Sequence, residues 1–138
     1  MAADTDRDAQ HDIAEVLVRY TTGIDRRDWD LFRTCFTGDC RADYGDLGSW
    51  QGVDGLTGYM VATHAGMGHT LHRLSNIAVT VDGDEAEARS YVDAVIMAPD
   101  GGSGVNAVGF YDDRLRRTVD GWRIAERRFT MVHVRPMA

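Results

Sequence analysis

The sequence predicts an α+β protein in which helices pack on one face of an antiparallel sheet. Apolar residues recur at helical spacing in the N-terminal half, whereas the C-terminal half contains four β-rich segments, at residues 69–81, 85–97, 105–118 and 122–135. Asp-Gly pairs lie between these segments, and such a pair flanked by β-rich residues is a strong hairpin signal. Helices followed by a meander of strands are typical of this fold class.

One apolar stripe indicates the first helix, and it consists of Ile13, Val16, Leu17, Tyr20 and Ile24. Thr5 and Asp8 resemble a capping box at the start of this helix, and Gly23 weakens its last turn. Asp25 comes just after the stripe and is rotated to its edge. A carboxylate at that position could face a cavity beneath the helix rather than solvent.

Two further helices and a short strand are expected before the meander. Asp28 is a suitable N-cap for a second helix, which ends at the break formed by residues 37–39. Residues 40–44 have the pattern of a short strand, and residues 45–48 that of a turn. The apolar spacing predicts a third helix over residues 54–63.

The long strands of the meander are able to bend. Gly104 and Gly109 lie where bulges or kinks could form, so the sheet can curl around the helices and leave a conical pocket. The chain has 138 residues, the size of one ordinary domain, and it contains no repeat or linker. We therefore expect a single domain over residues 1–138.

The composition excludes several classes of protein. Apolar residues make up 43% and charged residues 27% of the chain, which is typical of a globular protein with a packed core. A net charge of −7 argues against a nucleic-acid-binding protein. One basic cluster exists and is expected to form a charged sheet face. It comprises Arg114, Arg116, Arg117, Arg123, Arg127 and Arg128.

The sequence also carries expectations about location. The acidic N-terminus lacks the features of a signal peptide, and no apolar run approaches the ~18 residues that span a bilayer. The two cysteines, Cys35 and Cys40, form no CxxC motif. We expect a cytoplasmic protein with reduced thiols that binds neither membrane nor nucleic acid.

Asp25 and His72 are the first candidates for chemistry. A neutral imidazole is a natural general base near pH 7, and a carboxylate bonded to its far nitrogen fixes the tautomer and stabilises the imidazolium that forms. On spacing alone, His72 could also be a structural histidine on a strand, and Asp25 an ordinary carboxylate at a helix end or in a loop. An anion near a helix C-terminus is, however, electrostatically unfavourable, which suggests a specific role for Asp25.

Other polar residues are candidates for the pocket wall. Tyr20 and Tyr44 could donate to a developing oxyanion, or they could simply pack in the core. Asp93 and Asp112 interrupt apolar strand patterns, so each either faces solvent or lines a polar pocket. The remaining candidates are Arg128 and Arg116, as partners for pocket acids or an anionic substrate group, and Trp50 as a wall residue.

No cofactor or metal is expected. His69 and His72 are three apart on a predicted strand and therefore point to opposite faces, so together with His64 they make a poor metal site. The glycine-rich residues 101–104 join two strands and open no helix, unlike a phosphate-binding loop. No Ser or Cys lies in a nucleophile elbow.

Five segments resemble SnoaL-like proteins of the NTF2-like superfamily, in order along nearly the whole chain. They are residues 20–32, 39–45, 69–72, 81–84 and 120–124. The resemblance implies a cone-shaped, curved antiparallel sheet, mixed at its edge, wrapped around three N-terminal helices. It also implies an oligomer, a homodimer or a homotrimer.

Within this superfamily the motifs are most similar to scytalone dehydratase, bile-acid 7α-dehydratase and hexachlorocyclohexane dehydrochlorinase, which are cofactor-free lyases with an Asp–His pair. The resemblance assigns the pair to Asp25 and His72. It matches Tyr20 and Tyr44 to pocket tyrosines and Asp93 to a second acid. A second histidine of scytalone dehydratase is missing here, which argues against the same substrate and leaves the group that protonates the leaving group unassigned.

The leading hypothesis is a lyase or isomerase of the dehydratase type. His72, held by Asp25, would remove a proton from a compact hydrophobic ring compound such as a polyketide or steroid, while Tyr44 or Tyr20 steadies the enolate. One alternative is an epoxide hydrolase or cyclase, and the hydrolase needs Asp93 and Asp112 to face one water. Another is a non-catalytic ligand-binding or partner subunit, similar to the small subunit of ring-hydroxylating dioxygenases.

Overall fold

A computed structural model describes residues 2–137 as three helices and six strands. No helix in that range is both long and apolar enough to cross a membrane. The elements in chain order are α1 (Ala2–Asp25), α2 (Trp29–Arg33), β1 (Phe36–Asp43), a 3₁₀ turn (Gly45–Leu47), β2 (Ser49–Gln51), α3 (Val53–Ala65), β3 (Thr70–Asp82), β4 (Glu85–Met97), β5 (Gly104–Thr118) and β6 (Gly121–Met137).

The strands form one mixed, curved sheet that does not close into a barrel. Its order is β2-β1-β6-β5-β4-β3, and β1 lies parallel to β6 while all other neighbours are antiparallel. The four long strands follow the predicted hairpins, because each tight connection leaves the next strand beside the last. The predicted fold, helices against a curved sheet with a mixed edge, is confirmed.

Helix α1 lies across the sheet and buries the predicted apolar stripe. It begins at Ala2, so Thr5 lies inside the helix and the expected capping box is wrong. Gly23 has a packing role near the other end. A Cβ on Gly23 would lie 2.9 Å from the main-chain nitrogen of Phe32, so only glycine lets α2 approach α1 this closely. Asp28 caps α2 as predicted, accepting a hydrogen bond from the Leu31 amide at 3.0 Å.

The N-terminal edge of the sheet differs most from the prediction. Strand β1 begins at Phe36, four residues earlier than expected, and β2 is an additional three-residue strand paired with β1. The amide of Ile124 donates to the carbonyl of Cys35 at 2.7 Å, which ties the start of β1 to β6. This pairing is non-local, so it overrides the local break signal of residues 37–39.

The sheet has an inner face toward the helices and an outer face toward solvent. On β4 the inner positions are buried and the outer ones are more exposed, in strict alternation from Glu85 to Ala94. A register shift lies between Arg114 and Leu115 of β5, where they pair with Glu126 and Ile124 of β6. The extra residue reverses which β6 side chains point inward, and this reversal decides the placement of two arginines described below.

Candidate functional site

Asp25 and His72 are in direct contact at the open end of the sheet. The Nδ1 atom of His72 lies 2.7 Å from Oδ1 of Asp25, and the main-chain N–H of His72 donates to Oδ2 at 2.8 Å. The hydroxyl of Thr70 donates to Oδ1 at 2.9 Å. The carboxylate is therefore bound by three donors, and we refer to Asp25 and His72 as the dyad.

Chain geometry explains why these residues meet. Asp25 is the last residue of α1, and Thr70 is the first residue of β3, which packs against α1. Residues 70 and 72 share one face of the strand, so both reach the same carboxylate. The three donors offset the unfavourable position of an anion at a helix C-terminus.

The electrostatics favour an ionised Asp25. Burial by itself would raise the pKa of this carboxyl, but the hydrogen bonds from the side chain and main chain of His72 and from Thr70 outweigh burial and lower the pKa below its usual value. A carboxylate only accepts hydrogen bonds, so Nδ1 of His72 is the donor in the dyad. In neutral His72 the Nε2 atom then carries a lone pair, and no described residue forms a hydrogen bond with it.

Tyr20 and Tyr44 form a second polar pair inside the molecule. Their hydroxyl oxygens are 2.6 Å apart, and both residues are buried. Burial raises the pKa of both phenols, so both stay protonated and available as donors. Among the described residues no hydrogen bond links this pair to the dyad, so the structure brings the four predicted catalytic residues together as two separate pairs.

A sealed ion pair lies beside these tyrosines. Arg127 donates from Nε and Nη2 to the two carboxylate oxygens of Asp113, each at 2.7 Å, and neither side chain is exposed. The guanidinium lies between the rings of Tyr111 and Tyr20, 3.8 and 4.2 Å from their centroids. Its Nη1 atom is buried and has no partner among the described residues.

Asp93, Asp112 and Arg128, predicted as pocket residues with a solvent-facing position left open, all lie on the outer face, where Asp112 and Arg128 line a groove. Asp93 pairs with Arg73 at 3.3 Å, Asp112 with Arg89 at 2.7 Å, and the Arg128 side chain is 71% exposed. Arg116 likewise pairs with an exposed acid, Asp39. A groove of about 860 Å³ crosses this outer face, and neither dyad residue lines it.

The two interior residues that the sequence interpretation missed, Arg127 and Asp113, are direct neighbours of predicted ones. On β5 the alternation Tyr111, Asp113, Leu115 places Asp113 rather than Asp112 inward, and this was readable from the sequence. On β6 the bulge shifts the alternation by one residue, so Arg127 takes the inward place expected for Arg128. Nothing in the sequence marks that bulge.

Trp50 lines the groove of the outer face, and His64 lies beside Trp29. Trp50 stacks on Tyr59 with ring centroids 4.1 Å apart and contacts Tyr44 edge-on. His64 of α3 is buried, and its Nδ1 donates to the carbonyl of Met60 at 2.8 Å. Burial lowers the pKa of His64, so this imidazole is neutral at pH 7.

Metal and thiol chemistry have little support among the described residues. No group of three or more His, Cys, Asp or Glu side chains within residues 5–137 is arranged to hold a metal ion. His69 is exposed, whereas Thr70 and His72 both contact Asp25. Burial raises the pKa of the thiols of Cys35 and Cys40 to about 11, so neither is a thiolate nucleophile at neutral pH.

A strip of small and apolar side chains leads away from the dyad on the inner face. His72 lies opposite Ala94 of β4, which lies opposite Ala107 of β5, and Ala107 lies opposite Val134 of β6. Ala94 and Ala107 are buried, whereas Val134 and Met131 on the same face are 47% and 41% exposed. The strip therefore runs from the dyad to an apolar surface that is open to solvent.

Known proteins resemble this chain over most of its length. The family model described as a SnoaL-like domain matches residues 5–128. An uncharacterized protein of Mycobacterium tuberculosis is 34% identical over 121 residues, which cover 84% of this chain and 80% of that protein.

Solved structures superpose closely at low sequence identity. A scytalone dehydratase-like protein of Novosphingobium aromaticivorans has a TM-score of 0.89 at 21% identity, covering 96% of this chain and 90% of that one. The hexachlorocyclohexane dehydrochlorinase LinA, type 2, has a TM-score of 0.82 at 18% identity, covering 97% and 90%. An NTF2-like protein with a cystatin-like fold, also from N. aromaticivorans, scores 0.82 at 22% identity, covering 95% and 86%.

Proposed function

The chain belongs to the SnoaL-like domain family, and on that basis we propose that it is a cofactor-free lyase or isomerase of the dehydratase type. The observation that carries the proposal is the dyad geometry. An ionised Asp25 holds Nδ1 of His72 and leaves Nε2 as an unpaired base. The similarity in fold to a scytalone dehydratase-like protein and to LinA supports the reaction class.

In the proposed reaction Nε2 of His72 removes a proton from carbon next to a carbonyl. The electron pair of that C–H bond forms an enolate, and Asp25 stabilises the imidazolium that results. In an elimination the enolate then expels hydroxide or halide from the β-carbon, and the imidazolium can return its proton to a departing hydroxide as water. In an isomerisation the proton returns to another carbon.

The tyrosine pair is proposed as the partner of the developing oxyanion. When one hydroxyl of the pair donates to the other, the accepting hydroxyl keeps its own proton and can donate it elsewhere. Because burial raises the pKa of both phenols, neither loses this proton at neutral pH. A neutral donor in a water-poor site stabilises charge that develops in the transition state.

The strip of Ala94, Ala107, Met131 and Val134 supports a compact hydrophobic ring compound as the substrate. The side chains next to the dyad are small, and apolar side chains favour carbon over charged groups. The deeper interior is filled by Tyr111 and the sealed ion pair, so the ring would bind beside the dyad with its carbonyl directed toward the tyrosine pair. A polyketide or steroid metabolite fits this description.

Proton abstraction can be tested on β-hydroxy ketones built on one or two fused rings, incubated with the protein in D₂O. We expect deuterium at the carbon next to the carbonyl, measured by mass spectrometry, together with the absorbance of the conjugated enone. His72→Ala should lower both rates by about 10²–10⁴-fold. His69→Ala is the matched control, because that exposed histidine lies outside the dyad, and it should keep the wild-type rates.

Two results would refute the proposal. One is the absence of both exchange and elimination across the panel with folded wild-type protein. The other is an unchanged rate in His72→Ala. In either case the non-catalytic alternative, a ligand-binding or partner subunit, would account better for the densely filled interior.

The epoxide hydrolase alternative loses its basis in the structure. It required Asp93 and Asp112 to face one water, but each carboxylate pairs with its own arginine on the outer face. A cyclase remains an alternative for the same dyad. The cytoplasmic location and the homodimer or homotrimer stay predictions from the sequence.

A further inference from the structure

Arg27 makes three hydrogen bonds around the dyad although it is not part of it. Its Nη1 donates to the carbonyl of Ile24 and to Oγ1 of Thr70, each at 2.8 Å, and its Nη2 donates to the carbonyl of Gly68 at 2.6 Å. One guanidinium thus connects the end of α1 with the segment that leads into β3. These are the two elements that carry the dyad.

The backbone of Arg27 adopts an uncommon conformation to place this side chain. Its φ is 56°, in the left-handed region that non-glycine residues seldom adopt. Such a conformation is energetically unfavourable for a residue with a side chain and persists where the surroundings hold it. Here the main chain holds it: the amides of Arg27 and Asp28 donate to the carbonyls of Ile24 and Gly23 at 3.0 and 2.8 Å, the hydrogen bonds of a Schellman C-cap. The guanidinium adds its three acceptors, two of which belong to the β3 side of the site.

The direction of the hydrogen bonds links Arg27 to Asp25 through the hydroxyl of Thr70. A guanidinium only donates, so Oγ1 of Thr70 must accept from Arg27. The single hydroxyl proton of Thr70 is then directed to Oδ1 of Asp25, 2.9 Å away. Oδ1 therefore accepts two hydrogen bonds, one from the Thr70 hydroxyl and one from Nδ1–H of His72.

We propose that Arg27 is a positioning residue: by holding the Thr70 hydroxyl it keeps the Asp25 carboxylate against Nδ1 of His72 and so maintains the Nδ1–H tautomer that the carboxylate sets. The chain of donation runs from Arg27 to Thr70 to Asp25, and from His72 to Asp25. It leaves the lone pair of His72 on Nε2, the atom that acts as the base. This inference rests on the proposed function for its importance but not for its test.

Without the guanidinium, Oγ1 of Thr70 loses the donor that fixes it from the α1 side, and the end of α1 loses its link to the segment before β3. The hydrogen bond from Thr70 would then hold the Asp25 carboxylate less firmly in its present position. The dyad would loosen, and both tautomers of His72 would be populated. Displacement of a catalytic group by about 1 Å can cost up to about 10²-fold in rate.

The tautomer can be measured directly by ¹⁵N NMR on the full chain labelled at histidine, at about pH 8, where an ordinary imidazole is neutral. In the wild-type protein we expect a protonated Nδ1 and an unprotonated Nε2 for His72. In Arg27→Gly, which removes the side chain and suits the positive φ, we expect both nitrogens to shift toward values of mixed tautomers. His64 is the internal reference for the tautomer, because its Nδ1 donates to the Met60 carbonyl. The charge of Arg27 helps to lower the pKa of His64, but burial is the main cause, so this imidazole stays neutral at pH 8 in the variant.

A second pair of variants isolates the hydroxyl. Thr70→Val keeps the shape of the side chain but removes its oxygen, and it should shift His72 in the same direction as Arg27→Gly. Thr70→Ser restores the hydroxyl and should restore the wild-type tautomer. Arg33→Gln removes another arginine, whose ion pair with Asp54 lies at the surface, and should leave the His72 signals unchanged.

The proposal is overturned if His72 keeps a pure Nδ1–H tautomer in both Arg27→Gly and Thr70→Val. A merely structural Arg27 would lower the stability of the protein in Arg27→Gly without moving the His72 resonances relative to those of His64. Because the NMR readout needs no substrate, it can fail or succeed independently of the elimination assay. A wild-type protein with the expected tautomer but no turnover would refute only the proposed function.

Discussion

The molecule contains two acid–base pairs of opposite design. Asp25 and His72 lie at the open end, where their side chains are 18% and 11% exposed and the carboxylate is held by three donors. Asp113 and Arg127 lie among aromatic rings with no exposed surface at all. In the first pair Nε2 of His72 has no partner in the described structure. In the second, both carboxylate oxygens of Asp113 accept from Arg127, which uses two of its three guanidinium nitrogens.

The difference separates a pair suited to chemistry from one suited to structure. A base needs a lone pair that a substrate can reach, and Nε2 of His72 meets that condition. The sealed pair has no such access, and moving either charge would expose the other to an apolar interior. Buried ion pairs are costly to break because the remaining charge is left without compensation. We therefore expect substitutions in the two regions to act on different properties.

The largest effect on stability is expected for Asp113→Asn. It leaves the guanidinium of Arg127 buried and charged without its counterion, at a cost of about 3–5 kcal/mol in the free energy of unfolding. The matched control is Asp112→Asn, the next residue along β5, whose exposed pair with Arg89 should contribute less than about 1 kcal/mol. Urea denaturation measures the free energy of unfolding of both variants. Equal losses would contradict the proposed difference between the buried and the exposed ion pair.

A smaller loss is expected for Tyr44→Phe. Removal of this hydroxyl takes away the 2.6 Å hydrogen-bond partner of the buried Tyr20, at a cost of about 1–3 kcal/mol. Tyr59→Phe is the control and should cost less, because that ring is only partly buried where it stacks on Trp50. If Tyr44→Phe is as stable as Tyr59→Phe in the same denaturation experiment, the tyrosine pair does not stabilise the interior.

At the open end, Asp25→Asn should change stability by only about 1 kcal/mol, because the amide oxygen can still accept from the main chain of His72 and the site is partly solvated. Activity should fall far more, because an amide cannot stabilise an imidazolium as a carboxylate does. Calorimetry and the exchange assay together test this separation. A loss of stability as large as that of Asp113→Asn would make the dyad a structural pair.

Two groups near the end of α1 should contribute to the pH dependence of stability, His64 and Asp25. Burial lowers the pKa of His64, so the unfolded chain binds a proton more readily than the folded one, and stability should fall as the pH drops below about 6.5. The contribution of Asp25, whose pKa is lowered by its hydrogen bonds, is fully present above about pH 4 and is lost as the pH falls through its folded value. Unfolding at a series of pH values, with His64→Gln as control, should show the first phase removed in the variant.

The sequence interpretation succeeded where a local pattern is sufficient. The stripe on α1, the Asp-Gly turns and the four long strands all depend on neighbouring residues, and each was found within a few positions. It failed for β2 and the start of β1, which exist because distant strands pair with them. Asp93 could have been placed correctly, since the alternation of β4 puts it on the face opposite Val92 and Ala94.

The sequence by itself therefore determined the fold class and the order of elements, because helical and strand periodicities are local properties of the chain. It pointed to Asp25 and His72 through the resemblance to SnoaL-like proteins, since spacing alone left structural roles open for both. Tertiary structure decided which acid and which arginine enter the interior. A single bulged residue on β6 exchanges Arg128 for Arg127, because side chains alternate between the two faces with a period of two. Tertiary structure also decided the contact of the dyad and its support by Arg27, since both join residues that are more than forty positions apart along the chain.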